Sequence, residues 1–436
     1  MLGMGNMRQW LMNISLVGGW FPAAAFAVIA VLSVTLLVSA AVSKRDGRIL
    51  ATVLPIGVAA VSGMVGYVVA WLLSDVFVVF GVGLGSRVMS WVAAGFAIAG
   101  FAIVHIVLSR GMMRVAAAIL TVFAILAAAI GIDQSYGEYA TIGSLFGEDS
   151  YSQADLTGLA KRKDLITVAQ WRKQAANGTI RNIPANGTVN KIDIPATKSQ
   201  FEARKALVYL PPAALADSKR KPALPVVLML SGQPGSPGRV FQAGGIQTMM
   251  DGYAKTHDGL APIVIAADQL GADSHNTLCV DSKVYGNALT YLTQDVVDWV
   301  KTNLPAAQDA KDWAIAGFSQ GATCSLQIGV NHPDLFGTMI PTDSEIKPTN
   351  GSRQEMIDRF FDGDTTAYEN QVPVNAIRNH APTHQMLIIG AGEKDTTSIR
   401  NVKTIAPVAA KAGMRVAAVE SSGNAHDWHA VQDVLR

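Results

Sequence analysis

The chain reads WAIAGFSQGA over residues 313–322, where an apolar strand pattern runs into Gly317-Phe-Ser319-Gln-Gly321 and then into a helical pattern. A Gly-x-Ser-x-Gly sequence between a strand and a helix is the nucleophile elbow, a sharp turn that holds the serine Oγ clear of the sheet. Glycine flanks the serine because a side chain there would collide within so tight a turn. The chain has 40 glycines, so the pattern needs support from its surroundings.

The residues around this motif alternate between strand and helix patterns. An antiparallel strand pair is predicted at 189–195 and 206–210, followed by apolar strands at 225–231, 261–267, 313–318, 385–389 and 415–419 and helices at 241–256, 291–303 and 399–412. This alternation predicts an α/β fold whose mainly parallel sheet carries helices on both faces. We therefore expect an α/β-hydrolase domain over residues 188–436, with its active site at the carboxyl ends of the strands.

Two later strand ends carry the partners that a serine nucleophile needs. Serine attacks only when a base takes its proton and an acid orients that base, and in this fold the chain order is Ser, Asp or Glu, then His. We predict Ser319 as nucleophile, Asp395 as acid and His426 as base. Glu393 is the alternative acid in the same loop, and His429 is expected to be a surface or packing residue.

Acyl transfer also requires hydrogen-bond donors for the developing oxyanion. The backbone N–H of Gln320, the residue after the nucleophile, is one candidate. The second is the N–H of Gln233 in the loop after strand 225–231, because the following Pro234 has no N–H. The alternative is that this loop is only a tight turn.

The chain has only two cysteines, Cys279 and Cys324. Cys324 lies early in the helix after Ser319, and Cys279 lies in the loop before the helix at 291–303; the two segments should be neighbours at the carboxyl edge of the sheet. We predict a Cys279–Cys324 disulfide, which an extracytoplasmic location permits. Two buried free thiols are the alternative.

The N-terminal third of the chain has the composition of a membrane protein. Uncharged apolar segments at 22–43, 50–73, 88–109 and 115–132 are each about 20 residues long, enough to span a bilayer as helices. Residues 1–133 are thus predicted to form a four-span transmembrane domain. Residues 134–187 are predicted to be a linker or juxtamembrane segment, with an amphipathic helix that rests either on the membrane or on the outer domain.

Positive charges in the short loops predict the orientation of the spans. Lys44, Arg45 and Arg48 lie between spans one and two, and Arg110 and Arg114 lie between spans three and four. The positive-inside rule places both loops in the cytoplasm. The protein is then expected in the cell membrane, with the hydrolase domain on the extracytoplasmic side.

The remaining composition argues against several classes of function. The net charge is +2 and no basic block is present, so nucleic acid is not an expected partner. The sequence contains no Cys-x-x-Cys or His-Glu-x-x-His pattern, so we expect no metal site and no cofactor.

Residues 190–436 resemble the esterase family that includes esterase D and the antigen 85 mycolyltransferases. The resemblance rests on five segments: VYLPP at 208–212, LSGQ at 230–233, TLCVD at 277–281, GFSQG at 317–321 with Cys324, and GNAHDW at 423–428. Membrane-anchored members with several N-terminal spans occur in actinobacteria, and the whole chain is similar to those. The resemblance implies an α/β-hydrolase fold, ester substrates and a Ser319/Asp395/His426 triad. Ser231 differs from many relatives, which have His or Asp there.

These observations predict a membrane-anchored serine esterase that acts on an ester of a cell-envelope lipid or acylated glycan through an acyl-enzyme. The first alternative is an acyltransferase that passes the acyl group to an envelope hydroxyl, since both reactions use the same residues. The second is a non-catalytic envelope receptor or partner-binding module, against which the Ser–Asp–His order argues. The expected partners are an acyl ester and the lipid bilayer.

Overall fold

A computed structural model describes residues 7–8, 10–42, 48–77, 84–136, 139, 141–146, 151–160, 164–180, 182–218 and 220–436, without the side chains of 48–51. The chain divides into two compact units, residues 1–150 and 151–436. The first is helical, and the second contains a large sheet. Lys44 and Arg45, on which the predicted orientation partly rests, lie outside the described residues.

The first unit contains four long apolar helices: α1 (Trp20–Ala41), α2 (Arg48–Trp71, extended by a π-helical turn Leu72–Val76), α3 (Gly85–Leu108) and α4 (Met112–Tyr136). All four are long and apolar enough to cross a membrane. Small residues let them pack closely: a Cβ on Gly100 would lie 2.4 Å from Ser62 Oγ, and one on Gly66 would lie 2.8 Å from Phe96. The four predicted segments therefore form helices at the expected places.

The second unit is built on a nine-stranded sheet. The strands of the unit are β1 (Ser152–Gln153), β2 (Leu165–Ile166), β3 (Thr188–Ile192), β4 (Ala206–Leu210), β5 (Lys221–Pro222), β6 (Val226–Leu230), β7 (Ile263–Ala266), β8 (Asp281–Ser282), β9 (Gly286–Asn287), β10 (Trp313–Phe318), β11 (Thr338–Thr342), β12 (Met386–Gly392) and β13 (Arg415–Ser421). The order in the large sheet is β1-β3-β4-β7-β6-β10-β11-β12-β13, and within it only β4 runs antiparallel to its two neighbours, β3 and β7. The predicted mainly parallel α/β fold is confirmed.

Helices cover both faces of the sheet. They are α5 (Val168–Ala176), α6 (Pro212–Leu215), α7 (Pro237–Gln242), α8 (Ile246–Lys255), α9 (Ala288–Thr290, continued by a π-helical turn Tyr291–Asp295), α10 (Val296–Asn303), α11 (Gln320–Asn331), α12 (Arg353–Phe360), α13 (Thr365–Glu369), α14 (Pro373–Asn379), α15 (Thr396–Lys411) and α16 (Trp428–Leu435). Alternate residues of a strand enter different cores, since side chains alternate between faces. Leu228 and Leu230 pack in one apolar core, and Met229 lies in the other with Ala316 and Phe318.

Helix α5 lies in the segment for which we predicted an amphipathic helix, resting either on the membrane or on the domain that follows. Its Trp171 is fully buried in the larger core of the second unit. The indole Nε1–H donates to Asp258 O at 3.0 Å, so the polar edge of the ring is also satisfied. The amphipathic helix thus packs on the second unit through the side chain of Trp171.

Strand β11 is absent from the sequence-based assignment. It pairs with β10 and β12 in parallel, with Pro341 opposite Gly317. A proline lacks the N–H that a central strand normally donates, so the sequence signal for a strand at 338–342 is weak. Because β10 and β11 are parallel, the residues that follow β11 lie at the same edge of the sheet as Ser319.

Candidate active site

Ser319 sits in the strained turn between β10 and α11. Its backbone has φ 56° and ψ −118°, which is rare for a residue with a side chain. A Cβ on Gly317 would lie 2.2 Å from Gly321 O, and one on Gly321 would lie 2.3 Å from Ser231 O. Only glycine fits at either position, which is the physical basis of the Gly-x-Ser-x-Gly pattern. The Ser319 N–H donates to Thr342 O at 3.0 Å and fixes the turn against β11.

A chain of two short hydrogen bonds joins Ser319, His426 and Asp395. His426 Nε2 lies 2.8 Å from Ser319 Oγ, and His426 Nδ1 lies 2.7 Å from Asp395 Oδ2. The other Asp395 oxygen accepts the N–H groups of Thr397 and Ser398 at the start of α15. Because these two bonds hold the carboxylate, it keeps the His426 ring in one orientation with the proton on Nδ1.

The structure brings Asp395, and not Glu393, to His426. Glu393 is exposed, and its Oε2 accepts the Gly423 N–H at 2.7 Å. His429 also lies apart from Ser319, with its Nδ1 3.4 Å from Asp427 Oδ1. Asp427 accepts the His429 and Ala430 N–H groups and caps α16.

The electrostatics of the pair favour charge separation. Burial opposes the ionised form of Asp395, but the hydrogen bond and charge of His426 outweigh burial and lower the pKa of Asp395. Burial likewise opposes protonation of His426, yet the hydrogen bond to Asp395 and the charge of Asp343 raise its pKa. This environment stabilises the protonated, imidazolium form of His426.

Two carboxyl groups after β11 were missed by the sequence reasoning. Asp343 is fully buried, its Oδ1 accepts the Gly392 N–H at 2.9 Å, and its Oδ2 has no partner among the described residues. Burial raises the pKa of Asp343 to about 7. Burial also raises the pKa of Glu345 to about 7. A strand prediction for β11, despite Pro341, would have pointed to Asp343 and Glu345, because both residues follow the carboxyl end of that strand.

The two expected oxyanion donors lie on segments that flank Ser319. Gln320 is the first residue of α11, so its N–H has no acceptor within that helix. The loop that contains Gln233 lies beside Ser319: a Cβ on Gly232 would be 3.4 Å from Ser319 Cβ. The Gln233 side chain donates from Nε2 to Ser274 O at 3.2 Å. The loop after β6 and the start of α11 thus both lie next to Ser319.

The predicted disulfide between Cys279 and Cys324 is present, with an S–S distance of 2.05 Å. Cys324 lies on α11 five residues after Ser319, and Cys279 lies in the loop between β7 and β8. The bond fastens this loop to the helix that begins at the elbow. Both cysteines are fully buried in the apolar core.

Asp343, Asp395 and His426 offer ligand atoms within 4.8 Å of one another. Both ring nitrogens of His426 are already engaged, one by Ser319 and one by Asp395. This group therefore suits proton transfer, and a metal ion there would have to break the bonds that order the ring.

An apolar cavity of 280 Å³ lies elsewhere in the second unit. Leu224 and Pro225 line it just before β6, and Ala261 and Pro262 line it just before β7. It therefore lies at the amino ends of these strands, opposite the edge that carries Ser319.

Comparison with known proteins agrees with this architecture. A family model described as "Putative esterase" matches residues 198–433. An uncharacterised protein of Corynebacterium glutamicum is 32% identical over 333 residues, which cover 74% of each chain.

Two solved structures align with part of the chain at low identity. A ferulic acid esterase is 16% identical with a TM-score of 0.45, over 57% of this chain and 95% of that one. An S-formylglutathione hydrolase from Agrobacterium tumefaciens is 15% identical with a TM-score of 0.45, over 58% of this chain and 93% of that one. With more than half of its length matched by the family model, the chain belongs to the esterase family.

Proposed function

We propose that the protein is a membrane-anchored serine esterase that works through an acyl-enzyme intermediate. The observation that carries this proposal is the continuous hydrogen-bonded chain from Ser319 Oγ through His426 to Asp395, with distances of 2.8 and 2.7 Å. A strained, glycine-flanked serine beside a histidine whose tautomer is fixed by a buried carboxylate is the arrangement that nucleophilic acyl transfer requires.

In the first half of the reaction, Ser319 Oγ attacks the ester carbonyl while its proton passes to His426 Nε2. The backbone N–H groups of Gln233 and Gln320 hold the negative oxygen of the tetrahedral intermediate. The intermediate collapses to the acyl-enzyme, and the departing alcohol takes the proton from His426. Asp395 stays ionised and stabilises the imidazolium.

In the second half, water or an alcohol gives its proton to His426 and attacks the acyl carbonyl. Ser319 regains its proton as the acid or new ester leaves. Esterase and acyltransferase chemistry differ only in this acceptor, so an envelope hydroxyl in place of water turns the same residues to acyl transfer. Product analysis with and without added acceptor alcohol separates the two, because only transfer yields a new ester.

The proposed setting is the outer face of the cell membrane. Four apolar helices support anchoring, and the arginines at 110 and 114 support a cytoplasmic loop between the third and fourth spans. A Cys279–Cys324 disulfide supports an oxidising compartment for the second unit. Anchoring beside the bilayer favours an ester of an envelope lipid or acylated glycan, and a changed acylated species in the lipid profile of a deletion strain is the expected result.

The decisive test of the chemistry is hydrolysis of short-chain nitrophenyl esters by the purified full-length protein. Wild type should hydrolyse them and become covalently blocked by a phosphonate probe, whereas Ser319→Ala should do neither. Thermal unfolding of both proteins verifies the fold of the variant. Equal activity of wild type and Ser319→Ala, or inertness of both towards ester and probe, would overturn the proposal.

The orientation has its own test. Intact cells or right-side-out vesicles should expose the second unit to added protease, while the loop that contains Arg110 should stay protected. Protection of residues 151–436 would contradict an extracytoplasmic hydrolase unit.

A further inference from the structure

Gln269 is a fully buried side chain that lies just after β7. Its Nε2 donates one hydrogen bond to Ser231 O at 2.7 Å and another to Gln320 Oε1 at 3.2 Å. A carbonyl oxygen only accepts, so the contact with Ser231 O requires the NH₂ end of the carboxamide at this position. Both hydrogens of one amide are therefore used to join two separate segments.

Those two segments are the ones that flank the nucleophile. Ser231 immediately precedes the loop with Gly232 and Gln233, at the end of β6, and Gln320 follows Ser319 at the end of β10. The strands themselves pair in parallel, but that pairing ends at Gly317 opposite Leu230. Beyond it, the Gln269 carboxamide forms a buried polar bridge between Ser231, the residue after β6, and Gln320, the first residue of α11.

The segment that carries Gln269 also holds the far side of the same loop. Gly235 N donates to Asp273 O at 3.3 Å. Arg204 donates from Nη2 to Gly235 O at 2.9 Å and is itself paired with the buried Asp268. The loop after β6 is thus tethered at both ends to residues 268–273, and Gln269 is the tether that extends to the elbow.

We propose that Gln269 is a positioning residue that sets the separation of the two oxyanion donors, the N–H groups of Gln233 and Gln320. This inference rests on the proposed esterase function. Oxyanion donors act at the position that the charged oxygen occupies in the transition state, so small displacements weaken that state more than the bound ester. Gln269 itself touches no substrate and acts only through Ser231 and Gln320.

The test substitution is Gln269→Met, which keeps the length of the side chain but leaves Ser231 O and Gln320 Oε1 without their donor. Complete removal of one oxyanion donor lowers kcat by about 10²- to 10³-fold, so a misplaced donor should lower kcat by about 10- to 100-fold. KM should stay within about threefold, because ground-state binding does not use these N–H groups fully.

A matched control lies in the same segment. Thr277 is buried, and its Oγ1 donates to Gln269 O at 2.7 Å, so Thr277→Val weakens the segment without altering the carboxamide. Both variants are made in the full-length protein in detergent. Each is assayed for kcat, KM, melting temperature and inhibition by a boronic acid, whose tetrahedral adduct with Ser319 mimics the transition state.

We expect Gln269→Met to lose kcat and boronic-acid affinity by similar factors. Thr277→Val should keep the wild-type kcat and boronic-acid affinity, even if its melting temperature falls as much as that of Gln269→Met. The proposal is overturned if Gln269→Met retains kcat and inhibitor affinity, or if both variants lose kcat in proportion to stability. An inert wild type, or activity independent of Ser319, would refute the esterase function itself, so the two failures are distinguishable.

Discussion

The substitution Asp395→Asn tests the acid of the site most directly. Asp395 Oδ2 accepts from His426 Nδ1 at 2.7 Å, and its Oδ1 accepts the N–H groups of Thr397 at 3.2 Å and Ser398 at 3.0 Å. Asparagine has one acceptor oxygen, and the two backbone donors hold it. The side-chain NH₂ of asparagine then faces His426 Nδ1.

This exchange forces the wrong histidine tautomer. Nδ1 must accept from the NH₂ group, so the ring proton moves to Nε2 and points at Ser319 Oγ, 2.8 Å away. A protonated Nε2 does not act as a base. An equivalent substitution in a serine protease lowers kcat about 10⁴-fold, and we expect a loss of about 10³- to 10⁴-fold here with little change in KM.

The measurement is kcat and KM for a nitrophenyl ester with the full-length protein in detergent, with thermal unfolding to compare folds. Glu393→Gln is the matched control, since Glu393 is an exposed carboxylate two residues away that bonds only the Gly423 N–H among the described residues. Its kcat should stay within about twofold of wild type, as for most surface substitutions.

Two results would refute this reasoning. One is a folded Asp395→Asn variant that retains kcat within about tenfold of wild type. The other is a loss in Glu393→Gln as large as that in Asp395→Asn. If activity in Asp395→Asn disappears only after Asp343 is also replaced by asparagine, then Asp343 is the working acid.

The pH profile, the disulfide and helix α5 supply three further predictions. His426 must be neutral to act as a base, and its pKa is raised, so kcat/KM should rise with pH through a midpoint above about 6.5. The Asp343→Asn variant should have a lower midpoint, because it lacks the negative charge that favours protonated His426. An unchanged midpoint in this variant would contradict the charge effect. Replacing Cys279 and Cys324 by serine should reduce the free energy of unfolding by up to about 4 kcal/mol from loop entropy, measured by denaturant titration, and no loss would exclude a stabilising role. Trp171→Ala should cost about 3–5 kcal/mol in the same titration and Trp171→Phe less, whereas equal costs would exclude the ring packing as the cause.

Features that depend on neighbouring residues in the chain were predictable from the sequence. Four uncharged apolar segments were recognisable because a membrane span needs about 20 such residues in a row. The strand–Gly-x-Ser-x-Gly–helix pattern around Ser319 was equally local, since the geometry of the turn itself demands glycine at 317 and 321. From these and the order of later strand ends, Asp395 and His426 followed as candidates.

Strand β11 shows where local reasoning failed. Pro341 is unfavourable for a central strand by its own chemistry, but parallel pairing with β10 and β12 holds it there. Missing that strand removed Asp343 and Glu345 from consideration. Tertiary pairing outweighed a local preference, as it often does for short strands.

The sequence by itself thus determined the elements and their order, because helix and strand periods and turn chemistry are properties of nearby residues. Only the tertiary structure decided which loop carboxylate meets His426, that Asp343 is buried beside it, and that Gln269 joins Ser231 to Gln320. These relations join residues 31 to 83 positions apart in the chain. No local pattern encodes them, since hydrogen bonds and burial depend on distances that the packed sheet alone creates.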